Sequence, residues 1–113
     1  MKHKVVLVPF PFDDLSSAKV RPAVSLTEPV GEHKHIVLAF ITSRVPDKPL
    51  STDLVITETD KDFPSTGLRV SSALQLHRMM TVASNIIVRE LGQLPASKQK
   101  EVEGKLKVLF GIK

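Results

Sequence analysis

The segment Ile36-Val37-Leu38-Ala39-Phe40-Ile41 constrains the fold of this chain more than any other, because it is apolar at every position. Side chains along a strand alternate between two faces, so a strand with no polar position has to be covered on both. Residues 35–42 therefore read as the central strand of a sheet. The 113 residues make room for one domain, 1–113, around such a strand. Hydrophobic residues at 42% against 25% charged fit a folded core and exclude a disordered polyampholyte. With five Phe and neither Trp nor Tyr, that core must be built from Val, Leu and Ile, which favours strands over helices.

Further strands follow from the same patterning. Residues 5–9 are apolar and rich in β-branched side chains, and Pro9 and Pro11 end the run because proline cannot donate to a central ladder. Residues 13–19 are polar and contain serines, a loop before a second β-favouring run at 22–27; Pro29 and Gly31 mark the next turn. Pro46 and Pro49 bracket the connection to 52–57, where Leu54 and Ile56 alternate with Asp53, Val55 and Thr57, so one face of that strand is expected to be wet. Residues 58–67 read as an excursion with one helical turn. Over 71–82 the alternation places Ala73, Gln75 and His77 on one face and Leu74, Leu76 and Arg78 on the other, and Met79-Met80 points to a bulge or bend. Residues 88–94 form a last short strand.

From 96 to 110 the period changes. Val102, Leu106 and Leu109 recur at helical spacing with Lys98, Lys100, Glu101, Glu103 and Lys105 between them, which predicts an amphipathic helix. Ser97 is the expected N-cap and Gly111 the C′ residue, and Gly104 weakens the middle by about 1 kcal/mol relative to Ala. The plan is mainly β with a C-terminal α-helix, a small SH3-like β-barrel. Patterning alone fits an OB-like barrel equally well.

Sixteen Lys and Arg against twelve Asp and Glu, a net charge of +4, favour a polyanion or an acidic protein as partner. The absence of Cys excludes disulfides and thiolate metal sites. His33 and His35 can point to the same side of an extended chain, yet two imidazoles without a third ligand make no metal site, so neither metal nor cofactor is expected. The apolar runs are far shorter than the roughly 20 residues that cross a bilayer, and no signal-peptide pattern opens the chain. A cytoplasmic protein with no membrane contact is expected.

Three ordered motifs add to this. Val5-Val6-Leu7-Val8-Pro9-Phe10-Pro11-Phe12-Asp13 comes first; Arg21-Pro22-Ala23-Val24 is followed by Ile41-Thr42-Ser43; and Gly67-Leu68, Ser72 and Thr81-Val82 lead to Leu91-Gly92-Gln93-Leu94 and the final helix. In this order and spacing they resemble the MazF/PemK family of type II toxins, in its PemK-like branch, over most of the chain. The resemblance implies an SH3-like barrel, usually homodimeric, held in check by a cognate acidic antitoxin. It also implies a toxin that inhibits growth as a metal-independent, sequence-specific endoribonuclease. Single-stranded RNA is cut by attack of a ribose 2′-hydroxyl on the adjacent phosphorus, leaving a 2′,3′-cyclic phosphate and a 5′-hydroxyl.

Residue by residue, Arg21 matches the family's catalytic arginine, and its planar donor fork suits a phosphate. Thr42 matches the second catalytic position as a hydroxyl donor, with Ser43 beside it. Phe10 and Phe12 are candidates for stacking RNA bases, and Lys19 for binding a flanking phosphate. His77 occupies a position where the family more often has an acid, and its imidazole is a candidate RNA contact or acid–base group. Each has a plainer reading: Arg21 as a solvated strand-edge charge, Thr42 as a β-branched strand end, the two Phe as loop anchors, Lys19 as a solvated lysine, and His77 as structural.

Two rival functions stay open at this level. Phe110-Gly111-Ile112 resembles the terminal tryptophan-glycine-isoleucine of the CcdB-like gyrase poisons, with Phe for Trp and Lys113 following. Alternatively, the barrel is a degenerate, non-catalytic binding module, since His3-Lys4 stands where the family commonly has glycine-aspartate.

Overall fold

In a computed structural model, which describes residues 1–9 and 19–113, the chain forms six strands and one helix. The strands are β1 (Lys4–Pro9), β2 (Val20–Ser25), β3 (His35–Thr42), β4 (Asp53–Ile56), β5 (Ser72–Ala83) and β6 (Arg89–Gln93). Helix α1 is Ala96–Phe110, and 3-10 turns lie at Phe63–Thr66 and Ser84–Ile86. The strands make one antiparallel sheet in the order β4-β5-β3-β2-β1-β6. The expected loop at 13–19 lies almost wholly outside the described residues, as do Phe10 and Phe12.

β3 sits inside the sheet, as its apolar run requires, and separates two cores. Ala39 and Ile41 join a cluster with Val5, Val24, Leu54, Leu74 and Leu76. Helix α1 covers that cluster through the fully buried Val102, with Leu106 and Leu109 packed alongside. Burying a valine of this kind contributes about 1.5–3 kcal/mol. On the other face Ile36, Leu38 and Phe40 join Val6, Val8, Ala23 and Val82, flanked by Met80, Ile86 and Ile87.

The sheet curls without closing, which corrects the expectation of a closed SH3-like barrel. β4 and β6 are its two edges and do not pair with each other. The reason lies in the backbone between β4 and β5. The turn Phe63–Thr66 packs on β6 in the place a closing strand would need. A Cβ on Gly92 would collide with the carbonyls of Ser65 and Thr66, and one on Gly67 with the carbonyl of Leu91. Gly67 also takes a left-handed φ of 72°, which glycine adopts without strain. The Ser65 hydroxyl donates to the Gln93 carbonyl at 3.4 Å across the same seam.

Two local expectations change as well. Asp53 is buried, so β4 has no wet face there. α1 begins at Ala96 with Pro95 in the N-cap position and no side-chain cap, so Ser97 lies in the first turn and does not cap the helix. The proline's extended ψ of 156° already sets the turn into the helix, and the Gln99 side-chain amide donates back to the Leu94 carbonyl at 2.8 Å. Gly111 caps the other end as expected, in a left-handed conformation, with the Ile112 amide donating to the Lys107 carbonyl at 2.8 Å.

His3 fastens the N-terminal segment. Its amide donates to the Ser25 carbonyl at 2.7 Å, its carbonyl accepts from the Leu94 amide at 3.0 Å, and its Nε2 lies 3.7 Å from Glu103 Oε2 on α1. Burial, reinforced by the neighbouring Lys2 charge and only partly opposed by Glu103, holds its pKa below the ordinary value of 6.5. The folded state therefore favours neutral His3, while the unfolded chain takes up a proton near 6.5. Stability from this residue is complete above that pH and is lost as the pH falls through it towards the lower folded value. His3→Asn tolerates the positive φ of 71° without titrating, so its melting temperature should decline less steeply below pH 6.5 than that of the wild type. Equal slopes would remove His3 from the account. At the seam, Gly92→Ala should cost about 1–3 kcal/mol in denaturant unfolding. Gly104→Ala, where an added Cβ meets nothing, should gain about 1 kcal/mol.

Candidate active site

The β2–β3 register is set by the buried core. It runs Ser25↔Leu38, Val24↔Ala39 and Ala23↔Phe40. Two further steps along the same register bring Arg21 level with Thr42, at the ends of β2 and β3. Strand alternation then puts both on the face of Ala23 and Phe40. Arg21 is also paired with Val8 of β1. The strand pairing thus directs two residues twenty-one positions apart in sequence towards one groove.

Both line a groove of about 640 Å³, together with Ser43, Phe40, Leu68 and Gln75. Arg44, Arg69, Arg78 and Arg89 line it as well, and no carboxylate does among the described residues. No ion pair holds these four arginines among the described residues. Their convergence makes the groove a site for a polyanion, because fixed guanidinium groups of one sign focus a positive potential in a concave surface. A second cavity of about 590 Å³ is lined by both signs, Lys4 with Asp62 and Glu90, and the Lys4–Glu90 pair is 3.4 Å apart. Its charges cancel locally, which leaves the arginine groove as the candidate site.

Thr42 is oriented at its strand end. Its Oγ1 accepts the Arg44 amide at 3.1 Å, a contact that uses an oxygen lone pair and leaves the hydroxyl hydrogen to donate into the groove. The same turn carries Ser43 and Arg44 to the rim. Gln75, on β5, pairs with Phe40 of β3 and with Asp53 of β4.

The remaining candidates fall elsewhere. Lys19 is exposed just before β2 and is absent from the groove lining. His77 does not line the groove either: its Nδ1 lies 3.8 Å from Asp53 Oδ1. The cause is a bulge. β5 pairs with β3 at Met79↔Ala39 and next at Gln75↔Phe40, so Leu76, His77 and Arg78 have no β3 partner. The interruption turns Arg78 into the groove with Gln75, where unbroken alternation places His77. The His33 and His35 rings lie with centroids 5.8 Å apart, tilted at 49°, and among the described residues no third ligating side chain joins them.

Arg44, Arg69, Arg78 and Arg89 were not singled out by the motifs. Arg44 and Arg69 lie in connections, Arg78 in β5 and Arg89 in β6, and the topology that gathers them is the signal. No helix among the described residues is long and apolar enough to cross a membrane.

Comparison with known proteins agrees with this architecture. Among solved structures, the Mycobacterium tuberculosis toxin MazF-mt6 superposes with a TM-score of 0.73 at 20% identity, over 97% of this chain and 98% of that one. A structure described as an endoribonuclease in complex with its cognate antitoxin, from a mycobacterial species, gives 0.72 at 10% identity, over 100% and 96%. MazF from Deinococcus radiodurans gives 0.71 at 21% identity, over 98% and 96%. At such identities these likenesses establish the fold. A search of curated protein sequences finds no significant match. The family description "PemK-like, MazF-like toxin of type II toxin-antitoxin system" matches residues 2–110, nearly the whole chain, and the chain belongs to that family.

Proposed function

We propose that the arginine groove binds single-stranded RNA and that Arg21 and Thr42 act on the scissile phosphate. Family membership makes this chain the toxin of a type II system, and the activity in this reading is sequence-specific endoribonuclease cleavage. The observation that supports the groove as its site is the convergence of Arg21, Thr42 and four further arginines on one concave surface.

The chemistry follows from the donors. A ribose 2′-oxygen attacks the adjacent phosphorus, negative charge builds on the equatorial oxygens, and the 5′-oxygen leaves. Arg21 grips two of those oxygens with its planar fork, and the Thr42 hydroxyl donates to one of them. Donors fixed before the reaction begins need no reorganisation as the charge develops, which is where the rate enhancement arises. The outlying arginines hold neighbouring phosphates and set the register of the strand.

Three features belong with this reading. A solved neighbour is described as an endoribonuclease bound to its cognate antitoxin, and a groove whose charged lining residues, among those described, are all arginines suits an acidic antitoxin segment competing with RNA. We place the protein in the cytoplasm, as a homodimer, on the family resemblance. The rival gyrase reading rested on Phe110-Gly111-Ile112, and Gly111 is already accounted for as the cap of α1.

Wild-type protein should cut a long single-stranded RNA in EDTA and leave 5′-hydroxyl ends. Arg21→Ala should lower kcat by about 10²- to 10³-fold, with Arg21→Lys recovering only part, and Thr42→Ser should retain more activity than Thr42→Ala. Cutting that requires added metal, or an unaffected Arg21→Ala, would sink the proposal. For an uncleavable RNA, Arg69→Ala and Arg89→Ala should each weaken binding and reduce the slope of log K against log salt by about 0.7. An unchanged slope would place the RNA elsewhere.

A further inference from the structure

Asp53 is a buried carboxylate that the cleavage chemistry does not use. Its side chain is 1% exposed. Oδ2 accepts the Leu50 amide at 2.9 Å, fastening the turn that leads into β4. Oδ1 has no hydrogen-bond partner among the described residues, and His77 Nδ1 lies 3.8 Å from it. A buried carboxylate oxygen without compensation is costly, and the polar ring nitrogen that the structure sets beside it belongs to His77.

The pair sits at a junction. Asp53 of β4 opposes Gln75 of β5, and Gln75 in turn opposes Phe40 of β3. Directly beyond Gln75, β5 leaves both ladders, and Leu76, His77 and Arg78 are held by neither. Within that unpaired stretch, His77 faces Asp53 and Arg78 faces the groove. Positive charge also approaches from α1, where Lys105 donates to the Ser51 carbonyl at 2.8 Å, two residues from Asp53.

We infer that Asp53 is a positioning residue for the groove, which through His77 fixes the β5 bulge and so aims Arg78 at a phosphate of the bound strand. The inference rests on reading the groove as the RNA site. A side chain held in its bound orientation loses less freedom on binding, so releasing the bulge weakens the Arg78 contact without touching Arg21 or Thr42.

The test is a double-mutant cycle on RNA cutting in EDTA. Asp53→Asn keeps an acceptor for Leu50 and removes the charge; His77→Ala removes the exposed ring; His77→Lys places a nitrogen donor beside Asp53. Asp53→Asn, His77→Ala and Arg78→Ala should each raise KM by about tenfold, the scale of one charged hydrogen bond, with kcat little changed. Combining Asp53→Asn with Arg78→Ala should cost no more than Arg78→Ala alone, and His77→Lys should recover most of the wild-type KM. Additive losses, an unchanged KM in His77→Ala, or losses confined to kcat would overturn the inference. If the wild type does not cut, the functional reading fails separately. The same cycle is then read on the Kd of a fluorescent 2′-O-methyl RNA, where additivity, or no binding at all, overturns the inference too.

Discussion

The pairing of β3 on both edges, with an apolar core against each of its faces, fixes the positions of the groove's central residues. Slipping that strand by one residue exchanges its two faces and exposes an entire apolar set, so the register is strongly specified. Ala23↔Phe40 on one side and Thr42↔Ala73 on the other follow from it. The level placement of Arg21 and Thr42 is therefore a by-product of burying Ile36, Leu38 and Phe40. The donors gain rigidity because they stand at the ends of strands whose interiors cannot move independently.

The open edge of the sheet matters for the same groove. Where a closed barrel would pair its first and last strands, the turn Phe63–Thr66 lies on β6 through glycines 67 and 92. That backbone contact delivers Arg69, just past Gly67, and Arg89, at the start of β6, to one surface. A closing strand would occupy the space through which the two segments meet. Incomplete closure and the collection of positive charge are thus one structural decision.

The long patterns of the sequence were legible. β3 and α1 appear at 35–42 and 96–110 as read, because six apolar residues in a row and a 3.6-residue period each admit few solutions. Arg21 and Thr42 were picked out by motif, and the structure lines one groove with both. What could not be read is whatever depends on a local break in periodicity. Met79-Met80 signalled a bend, yet nothing in a two-residue alternation says which residue is skipped, so His77 and Arg78 exchange their expected sides. Asp53 looked like a solvent-facing position and is buried, with His77 of that same bulge set against it. Closure of the sheet was equally invisible, since strand propensity carries no information about which edges meet.

The central claim is that one phosphate of a bound RNA lies between Arg21 and Thr42. It is tested most directly by a crystal structure of the wild-type protein with a short single-stranded RNA carrying a 2′-deoxy nucleotide at the mapped cleavage step, which removes the attacking hydroxyl. The account predicts the scissile phosphate within hydrogen-bond distance of the Arg21 guanidinium and the Thr42 hydroxyl, with flanking phosphates against the other groove arginines. An RNA seated on another face, or a scissile phosphate contacting neither residue, would contradict it.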